Sequence, residues 1–419
     1  METRKTSTVV ILGPPWPHSG TARVIENQID FYRNRGFATI FITVPIDCWY
    51  VESYPQWREI QEGMEELGAD QTFVAPINQG RFLRQKYSVW IRRAFRPTVL
   101  DWIQFTSASA ELPKEAIQAI REARVDLVQV NHVFTLGFAE KLLGRVIERG
   151  NRLPVILETH DVQAHLLNER GEINQWTHKK DTIERLLDSE YSSLRKAKVL
   201  VHCSVEDLEF FKSKMPDMPH VLALPAIDDA FVSSVPLVPP DSRAIDLLFV
   251  GQSTGPNLAG IKWFLENVWP LIAKHGYRVS LVGKIAFLVE EHLPELYNRF
   301  RSLFVGPVAE LGPYYAAARC VIAPMVSGTG ISIKTVEALA LGKPFVGTAK
   351  AYRGMPADRL AAFGLRGHDS PQAFAVAIAN SLSDPAKSAA ASRQAYEALF
   401  SRQASFLARD EALRIATTR

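Results

Sequence analysis

RCVIAPMVSGTGISIKTVEALALGKPFVGT, residues 319–348, spells out a strand, a loop, a helix and a second strand. RCVIA (319–323) and PFVGT (344–348) are short apolar β-rich runs, the pattern of parallel strands covered on both faces by helices. Between them Gly328, Thr329 and Gly330 open a helix that carries Lys334 and Glu337 and closes at Gly342, Lys343 and Pro344. Glycines let backbone amides approach a diphosphate, and the positive end of the helix together with Lys334 neutralises its charge. Glu337 stands eight residues after Thr329, two helical turns along, where a carboxylate accepts both hydroxyl protons of a ribose. The plain alternative for Glu337 is a solvated helix face.

Outward from this unit the same alternation continues. IDLLFV (245–250), RVSLV (278–282) and SLFV (302–305) precede it, so residues 244–390 read as one doubly wound α/β domain. Upstream, TVVILG (8–13), ATIFITV (38–44), VDLVQV (125–130), PVILET (154–159), KVLVHC (198–203) and HVLAL (220–224) define another, over residues 1–225. Residues 226–243, with Pro236, Pro239 and Pro240, read as a linker, and 391–419 as a helical tail. Two Rossmann-like domains in tandem are expected to bind ligand in a cleft at the carboxyl ends of their strands.

Composition agrees with an ordinary soluble protein. The chain has 419 residues, 47 % hydrophobic and 22 % charged, with 24 Gly and 25 Pro spread along it, which excludes a mini-protein and extensive disorder. Lys and Arg number 48 against 45 Asp and Glu, a balance of +3 that argues against nucleic acid as a partner. Three cysteines, Cys48, Cys203 and Cys320, are too few and too far apart for a disulfide framework or a CxxC metal site. With no signal-peptide pattern and no long apolar span, a cytoplasmic location is expected.

Several further residues stand at expected strand ends. Gly13 to Gly20 (GPPWPHSG), with Ser19 and Gly20 leading into a helix, is either a tight βα turn or a ligand loop. His160 follows PVILET; one reading makes it a rim residue with Asp161 capping the next helix, the other a site residue. His132, after VDLVQV, reads as a core or rim histidine. Asp228 and Asp229 lack the spacing and the neighbouring histidine of a metal site, so no metal is expected. RFLRQKYSVWIRRAFR (81–96) carries six positive residues and no acid, interleaved with Phe82, Tyr87, Trp90 and Phe95. That segment reads equally as a solvated basic helix or as a peripheral contact with an anionic inner-membrane surface, where the acceptor would be lipid-linked.

The segment 324–346 resembles the GTGxxxKxxEAxAxGxP segment of retaining glycosyltransferases of the GT-B fold, family GT4 (glycosyl transferase group 1). FVGQSTGPNLAGIKWFLENVWPLI (249–272) and GPVAELGPYYAAARCVIAP (306–324) are similar to two further blocks of that family. ETHDVQ (158–163) followed by ERLLDSEYSSLRKAKVLVHCSVED (184–207) resembles its N-terminal half more thinly. The resemblance implies that Glu337 binds the donor ribose and that Lys334 and the amides of Gly328, Thr329 and Gly330 meet the diphosphate. Gly251, Asn257 and Lys284 fall on the same donor side. It implies that His160 reaches the donor sugar near the reacting carbon, with Ser19 and Gly20 on the acceptor side. Two departures stand out. Thr329 occupies the place of the first glutamate of the E-x7-E motif, and Gln252 to Asn257 replace the Arg and Lys pair that many members carry.

The implied activity is metal-independent, retaining transfer of a sugar from a nucleotide diphosphate sugar to the hydroxyl of a glycan or lipid-linked acceptor, in polysaccharide or glycoconjugate biosynthesis, with no other cofactor. The departures leave open a non-catalytic GT-B subunit that binds a nucleotide sugar or a partner protein, and a nucleotide-sugar epimerase.

Overall fold

The computed structural model describes residues 6–17, 19–46, 57–76, 97–147, 153–174, 179–227, 229–236, 238 and 244–418. The chain divides into two compact units, Met1–Ala223 with Phe406–Arg419, and Leu224–Ser405. The expected tail from 391 is therefore not a separate piece. The helices Pro371–Ser383 and Pro385–Leu399 belong to the second unit, and from Phe406 the last helix, Arg402–Thr417, belongs to the first. The expected linker also holds a short helix, Asp229–Ser234, inside the second unit.

In the first unit the strands are β1 (Ser7–Gly13), β2 (Ala38–Thr43), β3 (Gln71–Val74), β4 (Arg124–Asn131), β5 (Val155–Glu158), β6 (Ile173–Asn174), β7 (Lys179–Lys180), β8 (Val199–His202) and β9 (His220–Leu222). Seven of them form a sheet of order β3-β2-β1-β4-β5-β8-β9, every pairing parallel, while β6 and β7 make a small antiparallel hairpin. The central strand β1 places Val10 beside Ile40 on one neighbour and Val128 on the other. Its Val9 to Leu12 are all fully buried, which is why the run is apolar at every position rather than alternating. The edge strand β3 has an exposed Gln71 and partly buried Thr72 to Val74, so its short sequence QTFV gave no strand signal.

The second unit carries β10 (Ile245–Val250), β11 (Val279–Val282), β12 (Phe304–Gly306), β13 (Ala318–Ala323) and β14 (Phe345–Gly347) in a parallel sheet of order β12-β11-β10-β13-β14. Of SLFV only the last two residues are strand, because Arg301–Leu303 is a 3-10 turn. The helix that opens at Gly255 widens into a π turn at Phe264–Val268, just before Pro270. Pro270 has no N–H to return to the preceding turn, a common origin of such a widening.

In both sheets the order runs outward from an inner first strand, so right-handed crossovers on its two sides lie on opposite faces and the loops at the carboxyl ends of the strands flanking that reversal are splayed apart. Those loops hold the candidate residues of each unit. Among the described residues no helix is long and apolar enough to cross a membrane.

Candidate functional site

In the second unit the loops after β10, β11 and β13 are fitted together at backbone distance. A Cβ on Gly283, whose φ is +112°, would lie 2.2 Å from the carbonyl oxygen of Gly251, so neither strand end accepts a larger residue there. Gly283 N–H in turn donates to Gly306 at 2.7 Å, and Gly251 N–H to Val282 at 2.9 Å. On the other side Gly260 brings the helix Gly255–Trp263 against the backbone of Pro324, where a Cβ would stand 2.6 Å from the carbonyl oxygen.

Asn257 joins these loops to the glycine loop. Its Nδ2 donates to Gln252 O at 2.9 Å, and its Oδ1 accepts from Lys334 Nζ on the helix Ile333–Ala340. The Lys334 ammonium also lies 4.7 Å from the centroid of the Phe249 ring and 3.8 Å from Met325 Sδ. A half-buried cation on an aromatic face, with one amide partner, is only partly compensated for lost water. Burial, and next the charge of Arg353, push the Lys334 pKa down to about 7.

Arg353 is the residue that the sequence did not point to. It follows the short turn Ala349–Tyr352 after β14, and its Nε donates to Thr329 O at 3.0 Å. Gly328, at φ +119°, lies so close under the guanidinium that a Cβ would stand 3.2 Å from its Cζ. One glycine loop is therefore flanked by two cations. Glu337, one turn beyond Lys334, accepts from Tyr315 Oη at 3.1 Å. Its carboxylate is thus held from a neighbouring helix rather than loose on a solvated face.

The structure brings Gly251, Asn257, Gly328, Thr329, Gly330, Lys334 and Glu337 into this one set of strand-end loops and the helix that follows. Lys284 is attached through its carbonyl, which accepts from Ser253 Oγ at 2.8 Å, while its side chain is exposed at the start of the next helix.

The first unit presents a different arrangement. His132 and His160, directly after β4 and β5, have φ of 62° and 63°, and among the described residues they are the only non-glycines with positive φ. Their rings stack on each other with centroids 4.1 Å apart and planes 10° apart. Such a backbone costs a β-carbon residue roughly 1–3 kcal/mol, and it persists where surrounding contacts over-determine it. Here they do. His160 Nε2 lies 2.9 Å from Asn131 Oδ1, and Asn131 also exchanges hydrogen bonds with Gln28 at 2.8 Å. Because Asn131 presents its oxygen, the His160 ring carries its proton on Nε2 and leaves Nδ1 as the acceptor. Burial lowers the His160 pKa to about 4 and holds that of His132 well below its ordinary value, so both imidazoles are neutral at pH 7.

Beneath this pair lies a buried charge. Glu158, fully buried, takes Arg409 of the last helix at 2.8 and 3.1 Å, and Gln28 as well. Burial alone would raise its carboxyl, but the Arg409 guanidinium more than offsets this and the pKa is lowered. The helix Gln163–Arg170, which follows the His160 loop, is not capped by Asp161, as one sequence reading had it. Its first two amides donate to Glu190 at 2.9 and 2.8 Å. Burial pushes the Glu190 carboxyl up to about 8.

Ser19 caps the helix Gly20–Asn34 by accepting from Ala22 N–H, and its hydroxyl donates to Trp16 O at 2.7 Å. Its side chain is thereby engaged in shaping the loop, with Trp16 and Thr21 half-buried beside it. Thr21 Oγ1 lies 3.0 Å from His132 Nε2. His132, read from sequence as a core or rim residue, is buried as expected, yet it also lines a cavity beside Trp16. Its strained backbone was invisible in sequence. Asp228 and the basic segment 81–96 lie outside the described residues, and among those described no group of three or more His, Cys, Asp or Glu side chains is placed to hold a metal ion.

Residues 244–384 match the family model described as Glycosyl transferases group 1. No curated protein matches the chain. Among solved structures it is similar to HepE of Anabaena in complex with UDP, with TM-score 0.61 and 15 % identity over 97 % of this chain and 99 % of that one. It is also similar to a glycosyltransferase of Rickettsia africae (TM-score 0.59, 12 % identity, 99 % and 100 % covered). The pneumococcal O-GlcNAc transferase GtfA, in complex with UDP and GlcNAc, gives TM-score 0.61 at 10 % identity, with 99 % and 100 % covered. At such identities the likeness is one of fold: the chain has the GT-B fold, and its residues 244–384 are similar to the glycosyl transferases group 1 model.

Proposed function

We propose that the protein is a glycosyltransferase of the GT4 type that moves a sugar from a nucleotide diphosphate sugar to an acceptor hydroxyl, with retention and without a metal. The observation that carries this reading is the glycine loop 328–330 flanked by Lys334 and Arg353. Two like charges around one loop repel each other, and a diphosphate relieves that cost. Arg353 takes over from the Arg and Lys pair missing at 252–257. In the reaction the bond from the anomeric carbon to the diphosphate oxygen breaks with its electron pair going to that oxygen, the acceptor oxygen bonds to the carbon, and the acceptor proton passes to the departing diphosphate. Charge develops on the diphosphate, and preorganised donors placed there lower the barrier.

In this reading Glu337 takes the ribose hydroxyls, while the loop amides, Lys334 and Arg353 take the diphosphate. Gly251, Asn257 and Lys284 complete the donor side. His160, neutral and oriented by Asn131, offers Nδ1 to a sugar hydroxyl; Ser19 and Gly20 shape the acceptor side. HepE and GtfA both bind UDP, so UDP-sugars come first in the test.

The test is nucleoside diphosphate release from UDP-, GDP-, ADP- and dTDP-sugars without added metal, for the wild type and Glu337→Ala. Release from one donor, abolished in the variant, is the expected result. A nucleotide that binds without turnover in the presence of acceptors would turn the reading to a non-catalytic subunit, and epimerised donor without acceptor would turn it to an epimerase. No nucleotide binding at all removes the donor site.

A further inference from the structure

Within the first unit a buried chain of hydrogen bonds runs from the helix Arg402–Thr417 to the His160 ring. Arg409 donates through both terminal nitrogens to Glu158, at the end of β5, at 2.8 and 3.1 Å. Glu158 accepts in turn from Gln28 Nε2, Gln28 and Asn131 exchange two bonds of 2.8 Å, and Asn131 Oδ1 meets His160 Nε2 at 2.9 Å. Arg409 is 4 % exposed and His160 6 %, while the three side chains between them are fully buried.

The direction of this chain is set from outside the amide pair. An amide side chain has an oxygen that accepts and a nitrogen that donates, so Gln28 and Asn131, taken alone, close their two bonds equally well either way round. A carboxylate and a backbone carbonyl only accept. Glu158 therefore requires the nitrogen of Gln28, and the Leu12 carbonyl, which takes Asn131 Nδ2 at 3.1 Å, requires the nitrogen of Asn131. With both amides so turned, Asn131 Oδ1 faces His160 and keeps the ring proton on Nε2. Turning the pair over would set Gln28 Oε1 against the Glu158 carboxylate and Asn131 Oδ1 against the Leu12 carbonyl, opposing acceptors where no solvent dielectric softens the cost.

Stability alone is a poor reason for the ion pair at the far end. A buried pair of charges is often no more stabilising than well-packed apolar residues of the same volume, and Arg409 Nε has no hydrogen-bond partner among the described residues. Nor does the pair act on His160 chiefly through its field. Burial is the main reason that ring stays neutral, while the charges of Glu158 and Arg409 work on it in opposite directions. What the pair supplies is an acceptor-only group, since the guanidinium keeps Glu158 ionised. A protonated Glu158 would carry a donor of its own and would no longer dictate how Gln28 is turned.

We infer that Glu158 and Arg409 are positioning residues: through the amides of Gln28 and Asn131 they fix the tautomer of His160, with the proton on Nε2 and the lone pair on Nδ1. A use of that lone pair in sugar transfer rests on the glycosyltransferase reading; the tautomer lock does not.

The experiment is nitrogen-15 NMR of the histidine rings in the full chain at pH 7, without ligand, alongside chemical denaturation. Wild type should show His160 as one tautomer, protonated on Nε2. Arg409→Lys keeps a cation beside Glu158 but loses the two-pronged contact, so it should be less stable and keep that tautomer. The double variant Arg409→Met with Glu158→Leu should be more stable than Arg409→Met alone, yet show a share of His160 protonated on Nδ1, because only Leu12 still orients the amides. A pair that merely holds the fold would make the tautomer follow stability instead. With transfer established, kcat falls about 10²-fold in the double variant, a usual cost of a misplaced reacting group, while UDP affinity is unchanged and Arg409→Lys stays near wild type. A wild-type tautomer in the double variant, or Nδ1 protonation already in the wild type or in Arg409→Lys, overturns the inference. The expected tautomer shift in a protein that transfers from no nucleotide sugar keeps the lock and removes the glycosyltransferase reading. Transfer that depends on Lys334, with the tautomer unmoved in the double variant, does the reverse.

Discussion

At the strand ends of the second unit the residues with positive φ are Gly283, Gly306, Gly328 and Gly330, whereas after β4 and β5 of the first unit they are His132 and His160. The two sheets share a parallel, centre-outward strand order and so demand the same sharp turns at their carboxyl ends. Glycine is used where another backbone comes within contact, as Gly283 does against Gly251, or where amides face a ligand. Histidine is used where a side chain must stand at the turn despite the strain. The second unit thus offers a backbone cradle with two hydrogen-bonded cations at its edge, the first a wall of stacked rings over a buried ion pair.

The largest expected effect probes that ion pair. Arg409→Met leaves Glu158 charged, buried and short of its main partner, which typically costs about 3–5 kcal/mol. Chemical denaturation should show such a loss, and the double variant with Glu158→Leu should recover much of it. A loss under about 1 kcal/mol would show that the wall does not depend on the pair.

Lys334→Ala should behave in the opposite manner. Stability changes little, since a half-buried cation on Phe249 is poorly compensated, while donor turnover falls about 10²–10³-fold, the usual effect of removing one donor to a developing oxyanion. Wild-type turnover in the variant would sink the cradle.

Strain at the wall is tested by comparing two variants that both lack the ring. His132→Gly should be more stable than His132→Ala by about 1–3 kcal/mol, the reverse of the order in a helix, because only alanine keeps a Cβ at φ 62°. Equal stability would mean that the turn relaxes without cost.

The smallest effect is a pH slope. With its pKa lowered to about 7, Lys334 is charged below pH 7 and loses its proton above it, while a bound diphosphate favours the charged form. Nucleotide affinity should therefore be flat below pH 7 and fall about tenfold by pH 8.5. Lys334→Arg, always charged, should remove the slope.

The candidate site of the second unit was legible because its residues are local: Gly328 to Gly330, Lys334 and Glu337 lie within ten consecutive residues on one loop and helix. Strand runs such as VVIL and LLFV were equally plain, since burial on both faces removes the polar positions. Less was legible in the first unit. His132, His160, Trp16, Glu190 and Arg409 come from segments far apart in sequence, and their significance lies in stacking, capping and charge pairing across the sheet.

Sequence by itself determined two parallel α/β units and the glycine loop that opens a helix in the second, because strand burial and helix N-termini act through neighbouring residues. Tertiary structure alone decided that Arg353 guards that loop, that the last helix returns to the first unit, and that two histidines hold a strained, neutral stack beside a small aromatic cavity. Those depend on backbone angles and on contacts between residues distant in the chain, which no local pattern records.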